Sequence, residues 1–296
     1  MKNSVNVELK PMNTCSFQTA LDVWNEGFQG YFVDLTLSLD KFLARVTSEC
    51  LSPEVSFIAF VAEKPVGFLL NGIRTNGATK FAWNGGTGVI PSYRGKGIGR
   101  VLVNASIDLY EAHGVEVATL EAVRDNKSAI NLYTNCGYAI VEELTFLDSG
   151  DSVPSFDLKP GFTVRQVSLS SVGALSFYPD LSAWQTQWQS LLSSNGEAII
   201  VSDDSGGAVG YALYKKRYDA DGMLANVALC QCEVAPDRDD AAHIAAQALQ
   251  RVFFSEPGSY RRSTHNLRKS NQLVIRMLED AGFTTFIEQV HMIKRM

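Results

Sequence analysis

The chain has 296 residues, 46% of them hydrophobic, with 26 Lys+Arg against 32 Asp+Glu and a formal net charge of −6. This composition excludes general disorder, and at about 100–200 residues per domain the length suits two domains. Splitting near residue 150 gives 12 basic and 16 acidic residues, then 14 and 16, so neither half holds the basic excess of a phosphate-backbone binder and no nucleic-acid partner is expected.

The opening stretch, Met1 to Glu8, lacks the apolar core of a signal peptide, and no segment approaches the roughly 18 apolar residues of a membrane span. A cytoplasmic protein without a membrane partner is expected. Five cysteines without a CxxC pair and four scattered histidines argue against a disulfide framework or a metal site. Cys230 and Cys232, on one face of an expected strand, read as packing residues.

An early helical stretch comes first. Residues 57–62 and 66–70 then flank Glu63-Lys64-Pro65 as a hairpin. After a strand ending at Pro91, the apolar positions Ile98, Val101, Leu102, Ala105 and Leu109 follow the spacing of an amphipathic helix. Residues 115–120 read as a buried strand, and a second helix carries Ala129, Leu132, Tyr133 and Cys136 on one stripe before a left-handed cap at Gly137. Residues 148–161 concentrate Ser, Asp, Gly and Pro and read as a linker.

The same order then recurs, with the hairpin strands 198–201 and 209–213 around 203–207. Pro91 and Pro236, Asn126 and Asn271, and Gly137-Tyr138 and Gly282-Phe283 are each 145 residues apart. Equal spacing at three landmarks implies a duplicated α/β unit, with domains at 1–147 and 162–296. Trp184 and Trp188, four apart, read as a core stripe of one helix.

The glycine turn carries the chemistry. Gly95, Gly97 and Gly99, flanked by Arg94, Lys96 and Arg100, lie between a strand and a helix and expose backbone N–H groups at a helix N-terminus, where unpaired donors and the helix dipole attract a pyrophosphate. Lys96 is followed by Gly97, which excludes a P-loop. Arg100 and Leu102 occupy the third-glycine positions of a dinucleotide fingerprint, which excludes that too.

Arg94-Gly95-Lys96-Gly97-Ile98-Gly99 resembles the Arg/Gln-x-x-Gly-x-Gly/Ala motif of the GCN5-related N-acetyltransferase (GNAT) superfamily, and residues 126–138 resemble its Asn-x-x-Ala-x-x-Leu-Tyr-x-x-x-Gly-Phe/Tyr stretch. The resemblance implies two tandem GNAT-like repeats, each a mixed, splayed β-sheet flanked by helices. It implies acetyl-CoA as acyl donor, with the pyrophosphate on the N–H groups from Arg94 through Gly95, Lys96, Gly97, Ile98 and Gly99 to Arg100. Residues 87–90 would pair with the pantetheine arm, and Asn126 would hold its other side. The acyl group would pass directly to the primary amine of a small molecule or peptide, with an N–H at Val89 or Ile90 stabilising the oxyanion and Tyr133 protonating the leaving thiolate.

A base is harder to name: Glu121, through a water, Tyr93 and Glu26 are candidates that read more readily as solvated side chains, an amine arriving already neutral would need none, and Cys136 reads as a packing thiol. Phe28, Tyr31 and Asp34 are candidates for the acceptor side. At the 145 offset, Arg94, Gly97, Gly99 and Tyr133 become Asp239, Ala242, Ile244 and Leu278, so the second repeat resembles a degenerate copy that shapes the acceptor cleft or completes the sheet as a dimer partner would. Arg261, Arg262, Arg268, Lys269 and Arg276 read as a solvated face or as a receiver of acidic groups. Monomer and homodimer both fit. A non-catalytic acyl-CoA sensor is the alternative to an N-acetyltransferase.

Overall fold

In the computed structural model, residues 6–150, 156–254 and 259–296 are described. The expected linker therefore lies partly outside the described residues, as does the start of the chain. Contacts divide the chain into two units, one formed by residues up to Val141 together with Val290–Met296 and the other by Glu142–Gln289.

In the first unit, β1 (Glu8–Pro11), α1 (Phe17–Gly27) and α2 (Leu39–Ser48) precede the meander β2 (Phe57–Val61), β3 (Lys64–Asn76) and β4 (Thr79–Val89). Next come α3 (Ile98–Ala112), β5 (Val117–Val123), α4 (Lys127–Asn135) and β6 (Ala139–Asp148). The second unit holds β7 (Phe162–Val167), α5 (Leu169–Gly173), α6 (Trp188–Leu191), β8 (Gly196–Asp203), β9 (Ala208–Tyr218), β10 (Leu224–Val234), α7 (Ala241–Phe253), β11 (Arg261–Thr264), β12 (Leu267–Arg268) and α8 (Gln272–Asp280). The chain ends with β13 (Thr284–Arg295). In the first unit the sheet runs β1-β2-β3-β4-β5 and then the end of β13; in the second it runs β13-β6-β11-β10-β9-β8-β7, with β12 also on β6.

The units differ from the boundaries read from the repeat. Residues 290–296 belong with the first unit and 142–148 with the second. The physical reason is that repeat spacing follows chain order, whereas a unit is defined by which strands lie side by side. Exchanging two equivalent end strands leaves the 145-residue spacing untouched.

Both sheets open at the same place. β4 pairs with β5 in parallel only from Phe81↔Val117 to Asn84↔Leu120, and β10 with β11 only from Asn226↔Arg261 to Leu229↔Thr264. At this point each sheet carries a bulge. In β4 the register against β3 jumps between Asn84 and Gly86, leaving Gly85 extra; in β10 it jumps between Leu229 and Gln231, leaving Cys230 extra. Gly85 and Cys230 are again 145 apart.

The second bulge overturns the expectation for the cysteine pair. An extra residue shifts the alternation by one, so Cys232 enters the core beside Ala245 and Leu249 while Cys230 enters the opposite one beside Tyr211 and Leu213. Both thiols are buried, and burial pushes the Cys230 thiol up to about 11. They do pack, but on opposite faces.

Two other expectations change. Trp184 and Trp188 do not share a helix, because a 3-10 turn over Trp184–Thr186 ends at Gln187 before α6 begins. The buried stripe of α3 runs through Ile98, Leu102, Val103, Ser106 and Tyr110, and Val101 is exposed. An apolar-only reading misses Ser106 and Tyr110 because they face the buried Asn71: its Nδ2 donates to Ser106 Oγ at 3.1 Å, and its Oδ1 accepts from the Tyr110 hydroxyl. Among the described residues no helix is long and apolar enough to cross a membrane.

Candidate active site

Where β4 and β5 part, the first unit holds a cavity of about 1010 Å³. Its walls come from the end of α1 and the following loop (Phe28, Tyr31), the end of β4 (Thr87, Val89), the 93–100 turn, and α4 with its cap (Asn126, Tyr133).

Backbone geometry explains the glycines of the turn. Gly95 (φ +74) and Gly97 (φ +86) take left-handed conformations that disfavour a side chain, although nothing would meet a Cβ there. Gly97 caps α3 without a side-chain hydrogen bond, and the helical ladder starts with Val101 N donating to Gly97 O at 3.1 Å. The amides of Ile98, Gly99 and Arg100 therefore present the open positive end of a 15-residue helix, with Lys96 and Arg100 exposed beside it. Gly99 has another role: a Cβ would lie 3.1 Å from Leu132 Cδ2, so its bareness lets α3 approach α4.

Arg94 sits on the wall, but its groups are committed. Its amide donates to Pro91 O at 3.2 Å, Nε to Val89 O at 2.9 Å, and Nη2 to Gly27 O and Gln29 O at 2.9 Å each. Donors toward an anion thus begin after Arg94.

The two amides expected to serve an oxyanion also separate. Ile90 is buried and off the wall, and its N–H donates to Val66 O at 2.9 Å. That bond makes Val66–Ile90 the hydrogen-bonded pair, so by antiparallel alternation the backbone groups of Val89, and of Thr87 before it, turn away from β3 into the splay. Val89 faces the cleft; Ile90 does not.

Tyr133 is on the wall and only 7% exposed. Burial pushes its phenol up to about 12, opposed by the facing Thr87 hydroxyl and Asn84 amide. These two are themselves joined, Asn84 Nδ2 to Thr87 Oγ1 at 2.9 Å, and the Gly86 amide fixes the orientation of the Asn84 side chain by donating to its Oδ1 at 3.1 Å. The sequence reading gave Thr87 only a backbone role beside the pantetheine arm and passed over its hydroxyl and Asn84; their signal was polar residues beside a glycine pair in an otherwise buried strand. Asn126 caps α4, its Oδ1 accepting from Ala129 N at 3.1 Å, and its side chain lies near the Tyr31 hydroxyl.

The candidate bases do not gather here. Glu121 has a side chain only 5% exposed, off the cavity wall, and accepts from Trp83 Nε1 at 2.7 Å. Its neighbour His291 lies 3.9 Å away but is neutral at pH 7, because burial drives its pKa down to about 4. Glu26 is exposed on α1 and off the wall, whereas Tyr93 is on it with Lys96 Nζ 4.5 Å from its ring centre. Asp34 is off the wall and accepts from Thr36 N at 2.9 Å. Burial raises the Cys136 thiol, which favours its neutral form.

The second unit shows the same place altered. Its cavity is about 320 Å³. Arg268 Nη2 pairs with Glu233 Oε1 at 2.8 Å inside it, and Asn271 Nδ2 crosses the splay to Cys232 O at 2.7 Å. Leu278, at the tyrosine position, is wholly buried. The three acidic residues before α7 are partly neutralised, Arg238 bonding Asp240 at 2.6 Å and Asp203 at 3.2 Å. The basic group is largely paired too: Arg261 with Asp148, Lys269 with Glu143 and Glu288, and the buried Arg262 with the carbonyls of Phe253 and Tyr260.

The open end of α3, the cleft-facing edge of β4 and Tyr133 thus share one cavity. Residues 18–138 match the Acetyltransferase (GNAT) family, and the first unit is a GNAT domain. The N-alpha-acetyltransferase MAK3 of Arabidopsis thaliana is 34% identical over 94 residues, covering 32% of this chain and 50% of that protein. N-alpha-acetyltransferase 30 of Schizosaccharomyces pombe is 28% identical over 93 residues, covering 31% and 62%. The chain thus spans about half to three-fifths of these two relatives. A tandem GNAT protein from the clavulanic acid biosynthesis pathway superposes with a TM-score of 0.65 at 15% identity over 98% of both chains. A GCN5-related N-acetyltransferase from Sphaerobacter thermophilus superposes at 0.66 and 16% identity over 99% of this chain and 96% of its own. These likenesses establish a tandem GNAT fold.

Proposed function

We propose that the first unit transfers an acetyl group from acetyl-CoA directly to a primary amine. The reading rests chiefly on the cavity, which brings the open end of α3, the cleft-facing edge of β4 and the Tyr133 hydroxyl together. Acetyl-CoA supplies an activated thioester whose thiolate departs as the amide forms.

The amides of 95–100 suit its pyrophosphate, and the Thr87 and Val89 backbone edge suits an extended amide-bearing arm added as another strand. The Val89 N–H is the donor for charge developing on the carbonyl oxygen. Tyr133 acts as the acid. With its pKa near 12 it keeps its proton at neutral pH, and the Thr87 and Asn84 side chains favour the ionised phenol once that proton leaves. Of the three candidate bases Tyr93 alone lines the cleft, beside the anion-binding turn, so the amine arrives already neutral, and the proton its nitrogen sheds as the amide forms restores the Tyr133 phenol. An α-amine, with an ordinary pKa of about 7.7–8.0 against about 10.4 for a lysine side chain, meets that demand, and the N-alpha-acetyltransferase relatives support it.

The test is thiol release from acetyl-CoA by the purified chain against a panel of peptides with free or blocked N-termini. Release that requires a free α-amine supports the reading. Saturable binding of acetyl-CoA with no release above the buffer rate would instead assign a sensor.

A further inference from the structure

The mechanism leaves Arg94 without chemical work, yet its side chain is tied to the main chain on two sides of the cleft wall. One guanidinium donates to three carbonyls: Val89 O at the end of β4, and Gly27 O and Gln29 O at the C-terminal end of α1. Gly27 O belongs to the negative end of α1 and Gln29 O to the turn that follows it, a place where a cation is favoured and where a planar fork reaches several oxygens at once. Just beyond, Phe28 and Tyr31 stand on the cavity wall with ring centres 5.1 Å apart, and Phe28 packs on Trp24 at 4.6 Å and Phe68 at 5.4 Å. Across the cleft, the Tyr31 hydroxyl lies near the Asn126 side chain and the Val123 backbone. Arg94 is also the residue from which the anion-binding turn begins.

We propose that Arg94 is a positioning residue that locks the coenzyme-binding turn to the aromatic wall of the acceptor side, so that occupancy of the turn orders the wall. The inference rests on the acetyl-transfer reading of this cavity. A ligand that tightens the turn holds Arg94, and Arg94 holds the carbonyls that fix Phe28 and Tyr31.

Amide hydrogen exchange of the full chain with and without coenzyme A tests this, and it needs no acceptor. In the parent, coenzyme A should slow exchange both in the turn 93–100 and at the wall amides Gln29 and Tyr31, which bond to Glu26 O and Phe28 O. In Arg94→Lys, which offers a point charge in place of a fork, and in Arg94→Ala, the turn should still respond while the response at the wall falls about tenfold or more. Exchange in the middle of α3 reports whether each variant is folded. A wall that responds equally in both variants, or that never responds in the parent, overturns the coupling while leaving the site in place. A turn that ignores coenzyme A in the parent overturns the acetyl-transfer reading itself.

Discussion

The two clefts start from the same scaffold and end in opposite states. In each unit a parallel strand pair parts after the same register position, beside a bulge, and an asparagine caps the helix across the gap. Asn126 and Asn271 have matching backbone angles (φ −78, ψ 67 and φ −80, ψ 65), and each accepts from the amide three residues on. Yet the first cleft has about 1010 Å³ and the second about 320 Å³. The difference lies in what fills the gap: in the second unit the Asn271 amide and the Glu233–Arg268 pair bridge it, whereas in the first the corresponding edge at Thr87 stays open. A helix cap is thus reason enough to retain the asparagine, and its retention says nothing about a ligand. The glycines and the tyrosine discriminate.

The largest effect should come from the residue that the second unit replaced with leucine. Tyr133→Phe keeps the ring and removes the hydroxyl, so turnover should fall by roughly 10²–10⁴-fold with coenzyme affinity nearly unchanged, as measured by steady-state thiol release beside calorimetric titration. Parent-like turnover would make the first tyrosine as purely structural as Leu278.

Gly97→Glu gives the first turn the acidity of the second. The positive φ costs a side chain about 1–2 kcal/mol, and a carboxylate beside a pyrophosphate adds repulsion, so affinity for acetyl-CoA should weaken by about 100-fold or more. Gly97→Ala meets nothing within 4 Å and carries only the conformational part, so the gap between the two variants isolates the charge. Titration of the parent should show one site per chain. Two equal sites, or variants of equal affinity, would break the comparison.

The duplicated frame, the left-handed glycines of the turn and the presence of a tyrosine on the facing helix were legible in the sequence because glycine positions at fixed spacing encode backbone conformation directly. The 145-residue offset even carries through to Gly85 and Cys230, but a bulge is a relation between two strands and leaves no mark on one. The same limit hid the strand exchange, the capture of Arg94 by distant carbonyls, and the polar stripe of α3, whose partner Asn71 lies on β3. Glu121 looked available because its distance from the cavity and its bond to Trp83 are tertiary facts.

The exchanged terminal strand brings a buried base into the first unit. His291 has an ordinary pKa near 6.5 and a folded value of about 4 through burial. The folded state therefore resists a proton that the unfolded chain takes up, so stability is unaffected above pH 6.5, falls as pH drops from 6.5 to 4, and levels off below, a loss of about 3 kcal/mol in all. His291→Gln should flatten that decline in urea unfolding measured at pH 7 and pH 4.5. An unchanged slope would mean that His291 keeps its ordinary pKa in the fold, and a steeper decline in the variant would mean that it is protonated there and paired with Glu121, 3.9 Å away.

The smallest contrast concerns the bulges themselves. A methyl group on Gly85 would lie 2.6 Å from Trp83 Cζ3 and 2.7 Å from Leu51 Cδ2, so Gly85→Ala must displace a packed ring and should cost about 1–3 kcal/mol. Cys230 occupies the equivalent position with a side chain already housed in a core beside Tyr211 and Leu213. Cys230→Ala removes one sulfur atom and should cost no more than about 1.5 kcal/mol. If the first bulge exists to shape the site, Gly85→Ala should also shift the Thr87 and Val89 edge and raise the KM for acetyl-CoA, while Cys230→Ala leaves it unchanged. Thermal unfolding and donor titration on both variants measure the pair. Equal stability losses with unaltered KM in both would mean that the bulge is inherited geometry in the two units alike, and that the open edge of β4 depends on the filling of the gap alone.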